Sequence, residues 1–483
     1  MACYKIAMSS EPRSGERPVT RGQRALFTLS LLPILVALLV HSTHGPLPEA
    51  MIPMQAVLGL AALAWIVAVV LAARGAGDVR LVVVGAVALR LLAFAGEPSL
   101  SDDVYRYAWE GNLLASGVSP YAYAPDAPEL AEFRLEHAEV YARMNNVSVS
   151  AAYPPVTQYA AAFVTVLARV FAFGDDDPGL AAVTGLRFLF GIADLLVLLP
   201  LMVLLSRRRG MAALAVAWAW SPLIALEFAG SGHFDSLGIL LLVGALALLP
   251  KERGAAIGSA EWWALFLLSA AILVKFLPLV ALPFFLRGPA AWKRLAWVVL
   301  FLLLAYAPFL LLPDGGHGLF AGLGQYGLQW EGGSLVFRWI DRIVRDVPGM
   351  AWLDDVQLQG RVFVFLLWLT CALWAWTRRY DPVRATGYLI ACFLVFSPTL
   401  HPWYLAWVVP FFALRPSLAW GWLVAAAPLL YWPLEGWRAR GAWEEPAWLW
   451  PAYAGPFFAL LIADRVIAAR RARRGDARGE TGP

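Results

Sequence analysis

Two adjacent carboxylates open the stretch SDDVYRYAWEGNLLASGVSPY, residues 101–121, directly after an apolar run. A carboxylate at a membrane rim can take the proton of an acceptor hydroxyl, and partial burial moves its pKa toward the working range of a general base. Asp102 and Asp103 are therefore the candidate catalytic residues. On a helix beginning here, Asp102 and Arg106 are spaced i,i+4 and Arg106 and Trp109 i,i+3, so the three share a face. The planar fork of Arg106 matches oxyanion geometry, which suits it to orient a carboxylate or to bind a lipid phosphate. The plainer account of the same residues is a helix N-terminus, where Asp is favoured for capping alone. The pair completes no metal-binding motif. A divalent cation shared by Asp103 and a distant carboxylate stays open, and no motif specifies a cofactor.

Other polar residues interrupt apolar sequence further along. In NNVSVSAAYPPVTQY, residues 145–159, Pro154 and Pro155 suit the first turn of a helix, and Tyr153 and Gln158 are candidate pocket residues. In SPLIALEFAGSGHFDSLGILL, residues 221–241, Glu227, His233 and Asp235 fall close together, and Gly230 and Gly232 predict a helix break between them. Ionisable groups at membrane depth are costly and face a cavity or a partner. These three are candidates for binding sugar hydroxyls or a phosphate, against the alternative of a polar turn with Asp235 as N-cap. Lys275, inside AILVKFLPLV, is a candidate cation for a lipid-linked phosphate, as are Arg187 and Arg338. Snorkelling to the interface accounts for each of them equally. Tyr326, Trp330 and Glu331 lie in a Gly-rich stretch, where rings can stack on a sugar face or anchor a loop. His401, in SPTLHPWYL, stands between apolar runs at a predicted helix break aimed at a cavity or at a plain interfacial turn.

The elements that must position these residues follow from composition. The chain has 483 residues, 60% hydrophobic and 15% charged. A soluble domain carries about 25% charge, so too few charges are present for a polar skin. Apolar runs near 20 residues recur from end to end, which predicts an all-α, polytopic transmembrane helical bundle of about 12–14 spans. A nucleic-acid module, a coiled coil, a disordered chain and a disulfide scaffold are excluded. The three cysteines, Cys3, Cys371 and Cys392, have no metal or disulfide spacing. Many of the 23 tryptophans fall at the ends of apolar runs, as in an interfacial belt.

Residues 1–24 read as a cytoplasmic N-terminal tail and 470–483 as a basic cytoplasmic C-terminal tail. Residues 25–469 read as one transmembrane domain with long external loops at 97–150 and 313–360. Loops of that length carry function more often than they merely connect. Residues 101–116 and 126–143 are each expected to form a short interfacial helix, with Ser101 as a cap and the tyrosines and tryptophan turned to lipid. The positive-inside rule asks for Arg207, Arg208 and Arg209 in the cytoplasm, whereas strict alternation of the spans puts them outside. Either one apolar segment fails to cross or one loop defies the rule, and the external placement of the acidic loop is the one kept.

SDDVYRYAWEG, YPP, EFAGSGHFD, VKFLPL and HPWYL together resemble the GT-C integral-membrane glycosyltransferases, over about residues 80 to 430. The nearer likeness is to bacterial polyprenyl-phosphate-mannose-dependent alpha-mannosyltransferases. The resemblance implies a multi-pass protein of the cytoplasmic (inner) membrane with its active site facing outside. It implies a polyprenyl-phosphate sugar donor, a glycan, glycolipid or lipid-linked acceptor, contact with membrane lipid, and transfer of a hexose, mannose by likeness, commonly with inversion. The first-loop acidic residue serves as base in such enzymes, a role that falls on Asp102 or Asp103. Related sequences often carry Asn between His and Asp in the third motif; here the position is Phe234, which puts any role of that amide in doubt. The rival class is a transporter or flippase for a lipid-linked sugar, which also uses broken helices and midplane charges.

Overall fold

The computed structural model describes residues 18–43, 51–171, 178–209, 211–250, 257–313, 316, 318–347 and 356–479. The tails expected at 1–24 and 470–483, and the loop expected at 313–360, therefore lie partly outside the described residues. The described chain is all-α: its only β pairing is an isolated bridge of Gly332 and Gly333 with Thr399.

Among the described residues six helices are long and apolar enough to cross a membrane: Arg21–Thr43, Met51–Ala73, Gly179–Arg207, Ala291–Leu311, Leu358–Thr377 and Leu449–Arg470. A seventh span is available if Ala212–Ala219 and Pro222–Gly230, bent by 60° at their junction, count as one. Five further apolar helices have only 10–17 residues. Several of the apolar runs seen in the sequence are thus built from shorter or interrupted helices. The run 262–285 stops its helix at Val274 and restarts as a 3-10 turn at Leu277–Ala281, and the run 402–415 begins as a 3-10 segment over Pro402–Val408. Each restart carries a proline in its first turn, which has no N–H to continue the helical ladder.

The elements that frame the site are labelled in chain order: α1 Val79–Ala95, α2 Asp103–Ala115, α3 Pro155–Phe171, α4 Pro178–Arg209, α5 Pro222–Gly230, α6 Asp235–Leu248 and α7 Ser259–Val274. They continue with α8 Ala321–Gln329, α9 Phe337–Asp346, α10 Pro402–Leu414 and α11 Pro433–Arg440. The sequence placed α2 along the interface with its rings toward lipid. Instead every residue from Val104 to Leu113 is buried, and α2 packs against α3 and α4. Trp109 is fully enclosed, its ring against Phe133 at 4.9 Å and Tyr141 at 5.5 Å, both from the stretch after α2. The aromatic residues thus face protein, because α3, α4 and the stretch after α2 together cover it.

Gly111 permits that approach. A Cβ there would stand 2.7 Å from the carbonyl carbon and oxygen of Ala161. Because the obstacle is backbone, no rotamer change relieves it. Gly111→Val is expected to destabilise by about 1–3 kcal/mol or more through overpacking, read as a lowered thermal midpoint of the purified protein. Gly59→Val, at a position with no heavy atom within 4 Å of the added carbon, should leave the midpoint unchanged.

Two buried ion pairs lie inside the bundle, where an unpaired charge would be costly. Arg90 of α1 meets Asp194 of α4 through two contacts, Nε to Oδ2 at 2.7 Å and Nη2 to Oδ1 at 2.9 Å. Arg294 meets Glu261 at 2.7 Å. On the polar side, the segment after α8 is stitched to the segment before α10: the Gly332 N–H donates to the Pro398 carbonyl at 3.2 Å, and the Leu400 N–H to the Gly332 carbonyl at 2.8 Å.

Candidate active site

A cleft of about 630 Å³ opens between the two polar insertions. Its walls come from the start of α2 (Asp102, Asp103, Arg106, Tyr107), the segment 145–153 (Asn145, Tyr153), the end of α8 and beyond (Tyr326, Trp330), the start of α10 (His401, Trp403), and the region of α11 (Tyr431, Arg438, Trp443). Of the sequence candidates, Asp102, Asp103, Arg106, Tyr153, Tyr326 and His401 line this one volume, together with Trp330 and Glu331. Glu227, His233, Asp235 and Lys275 do not line it; they sit in a layer beneath.

The helix start comes one residue later than the cap expected at Ser101. Asp102 is the N-cap, and Ser101 contributes by accepting the Asp103 N–H on its Oγ at 3.2 Å. The Asn145 amide donates to Asp103 Oδ1 at 3.1 Å and also to Asp102 Oδ1. The Tyr107 hydroxyl, one turn along α2, donates to Asp103 Oδ2 at 3.3 Å. Burial, and next the charge of Asp102, push the Asp103 carboxyl up to about 6, against the donors Asn145 and Tyr107 and the charge of Lys275. Burial also raises Asp102, opposed by its backbone hydrogen bond, by Asn145 and by the charge of Arg438.

Arg106 reaches neither aspartate. Its Nε meets Glu110 Oε1 at 2.7 Å, its Nη1 donates to the Asn146 carbonyl at 3.0 Å, and its Nη2 donates to the Val149 carbonyl. Glu110 Oε2 accepts in turn from Gln158 at 2.7 Å. The guanidinium therefore braces the segment carrying Asn145 against α2, and the aspartates are held by Asn145 and Tyr107 instead. Tyr153 meets Tyr107 edge to face at 5.8 Å and Phe234 at 4.5 Å. Phe234 thus packs its ring against two tyrosines.

Beneath this wall, Asp235 is the first residue of α6, with Phe234 as the N-cap. Its Oδ1 accepts from Lys275 Nζ at 2.7 Å and from Trp407 Nε1 at 2.5 Å. Lys275 ends α7, lies 4.1 Å from the ring centre of Tyr404, and has its charge compensated by Asp235. The Tyr404 hydroxyl bonds to that of Tyr326 in the cleft wall. His233 stacks on Trp403 at 4.0 Å, and Trp403 stacks on His401 at 4.4 Å, which makes a three-ring pile from the buried layer to the cleft. Arg187 is committed to carbonyls, including Gly230 at 2.7 Å and Phe94 at 2.9 Å, and Arg338 to Glu445.

Arg438 was not singled out from the sequence. It lies on the cleft wall, donates to the Ser99 carbonyl, acts electrostatically on Asp102, and has no ion-pair partner within salt-bridge distance among the described residues. Its neighbour Tyr431 sits in a run that reads as a membrane span, so neither residue carried a signal. Asn145 was not singled out either; its only mark in the sequence is being half of an Asn-Asn pair in a polar loop. Among the described residues no group of three or more His, Cys, Asp or Glu side chains is placed to hold a metal ion.

The arrangement offers a carboxylate with a raised pKa, a cation beside Asp102 on the wall of the same cleft, and aromatic side chains lining that cleft. That set can deprotonate a hydroxyl and receive an anionic leaving group against a planar wall. The model of the MptA_B family, described as "Alpha-(1->6)-mannopyranosyltransferase, N-terminal domain", matches residues 29–291. A curated relative, Alpha-(1->6)-mannopyranosyltransferase A of Mycobacterium tuberculosis (strain ATCC 25618 / H37Rv), is 25% identical over 336 residues. The match covers 64% of this chain and 60% of the relative's length. No solved structure matches.

Proposed function

Because the chain belongs to the MptA_B family of alpha-(1->6)-mannopyranosyltransferases, we propose that it is a membrane mannosyltransferase with Asp103 as its general base. The donor is a hexose, mannose, carried on polyprenyl phosphate, and the acceptor is a hydroxyl of a glycan or lipid-linked glycan at the outer face of the cytoplasmic membrane. Asp103 takes the acceptor proton, the acceptor oxygen bonds to C1, and the bond from C1 to the phosphate oxygen breaks. Polyprenyl phosphate leaves with that electron pair, so no general acid is required. Arg438 meets the growing negative charge on the phosphate, where a preorganised cation is most effective. Tyr326, Trp330 and Trp443 offer ring faces to the sugar, and the prenyl chain lies between membrane helices.

The observation that supports this reading most is the placement of Asp103 on the wall of a 630 Å³ cleft with Arg438 in the same cleft. Asp103 is favoured over Asp102 because it takes hydrogen bonds from both Asn145 and Tyr107 and has the carboxyl pushed to about 6, near the pH at which a base must work. The test is transfer by purified protein from radiolabelled polyprenyl-phosphate mannose to an alpha-linked mannan oligosaccharide. Product is expected with this donor and none with a nucleotide-linked mannose; the reverse pattern, or no transfer, defeats the proposal. The pH dependence has a definite sign. Below about 6 the Asp103 carboxyl carries a proton and cannot accept another, so kcat/KM should rise with a single limb near that pH and level off toward neutrality.

A further inference from the structure

A second carboxylate is built in beneath the base. The end of α5, Leu226–Gly230, winds as a π-helical turn, a rare form that is frequent at functional sites. The chain then reverses at Gly232, whose φ is +77° and where a Cβ would lie 2.9 Å from the side chains of Arg187 and Val104. The reversal brings the His233 N–H back to the Glu227 carbonyl at 3.0 Å and sets His233 Nε2 3.3 Å from Glu227 Oε2. Both side chains have no exposure, and neither of these two atoms makes a hydrogen bond elsewhere. Glu227 Oε1 is closed by the Tyr431 hydroxyl. On the other edge of the imidazole, Nδ1 is 3.4 Å from the Tyr107 hydroxyl, which itself lies 3.3 Å from Asp103 Oδ2. The direct separation of Nδ1 and Oδ2 is 3.8 Å, so the tyrosine is the bridge.

We propose that Glu227 and His233 are positioning residues that orient the Tyr107 hydroxyl toward Asp103 and keep the negative charge of the set on that base, a role that rests on the transferase reading above. A proton on Glu227 Oε2 donated to His233 Nε2 fixes the imidazole as the Nδ1–H tautomer. That N–H donates to the Tyr107 oxygen, and the single Tyr107 proton goes to Asp103 Oδ2. The reverse polarity puts the proton on Asp103, turns Tyr107 toward His233 and leaves the charge on Glu227. There it would be wholly enclosed, whereas 19% of the Asp103 side chain is open and Asn145 donates to it. An enclosed charge without a cation costs more than one at a cleft wall. Facing the set are Asp102 on the Asp103 side, Lys275 and His401 on the His233 side, and Asp235 on the Glu227 side; Lys275 and Asp235 neutralise each other. In turnover the acceptor proton stops on Asp103 and does not travel to Glu227.

The experiment uses the full chain reconstituted in lipid, with Glu227→Leu, Tyr107→Phe and Glu227→Gln. Two readouts are taken: the pH profile of mannosyl transfer, and carbodiimide labelling of protonated Asp103 against pH, localised by tandem mass spectrometry. Tyr107→Phe removes the donor to Asp103, and Glu227→Leu removes the group that fixes its direction. The acid limb and the labelling midpoint should both move up by about one pH unit, an effect of roughly tenfold on rate at the acid end with KM nearly unchanged. Glu227→Gln should rescue both readouts, since its amide N–H can donate to His233 Nε2. An unmoved labelling midpoint in folded Glu227→Leu overturns the proposal. So does Glu227→Gln that is as inactive as Asp103→Asn at every pH, because that pattern means the proton passes inward. Failure of the transferase reading is distinct: unaltered protein would not transfer, while the labelling midpoints would still shift.

Discussion

Asp103→Asn is expected to lower kcat for mannosyl transfer by about 10²- to 10⁴-fold, the range for loss of a positioned general base, with little change in donor KM. The substitution keeps the shape of the side chain and its place at the start of α2, and it removes only the capacity to accept a proton at that point. Asp102→Asn should cost far less. Asp102 shares the Asn145 amide but takes no bond from Tyr107, and its charge is one of the influences that raises Asp103. Removing it should move the acid limb of the profile to lower pH. Single-turnover transfer by both variants, with thermal midpoints to show that they are folded, decides the matter. Full activity in Asp103→Asn would end the assignment of the base.

The second large effect is on stability. Arg90→Met is expected to destabilise by about 3–5 kcal/mol, because it strands Asp194 as an uncompensated charge in the bundle. Arg90 also donates to the carbonyls of Trp218, at 3.4 Å, and Ala219, at the end of the helix that precedes the 60° bend. One guanidinium thus holds α1, α4 and the approach to α5 together. The double change Arg90→Met with Asp194→Leu should recover most of the loss, since replacing both members of a buried pair by apolar groups is often neutral. Denaturant or thermal unfolding of the unaltered protein and the two variants in detergent gives the comparison. A double variant no better than the single would mean that the carbonyl contacts, not the charge, dominate.

What the sequence reveals about this site depends on how far apart its parts lie. Asp102 and Asp103 stand out because charge follows an apolar run. The break near Gly230 and Gly232 is legible from glycine spacing, and the structure places the π turn and the positive φ there. The environment of α2 is not legible, because Tyr and Trp suit a lipid interface and a protein interior alike; the contact of Gly111 with Ala161, 50 positions on, decides between them. Lys275 reads as a lone cation until Asp235, from another helix, is seen 2.7 Å away. Arg438 approaches the Ser99 carbonyl across more than 300 residues of chain, and no local pattern encodes that meeting. Where each apolar run is helical is hard to read for a related reason: hydropathy registers the run 402–415 as continuous, while Pro402 starts it as a 3-10 turn.

The stitching of Gly332 to Pro398 and Leu400 has a mechanical consequence. The strip of chain bearing Tyr326 and Trp330 and the strip bearing His401 and Trp403 are joined by peptide hydrogen bonds at 3.2 and 2.8 Å. A tug on one strip is carried to the other, so the aromatic slab behaves as a single plate. It cannot peel away like a flap unless these bonds, and that of the Thr399 hydroxyl to the Trp330 carbonyl at 2.9 Å, give way.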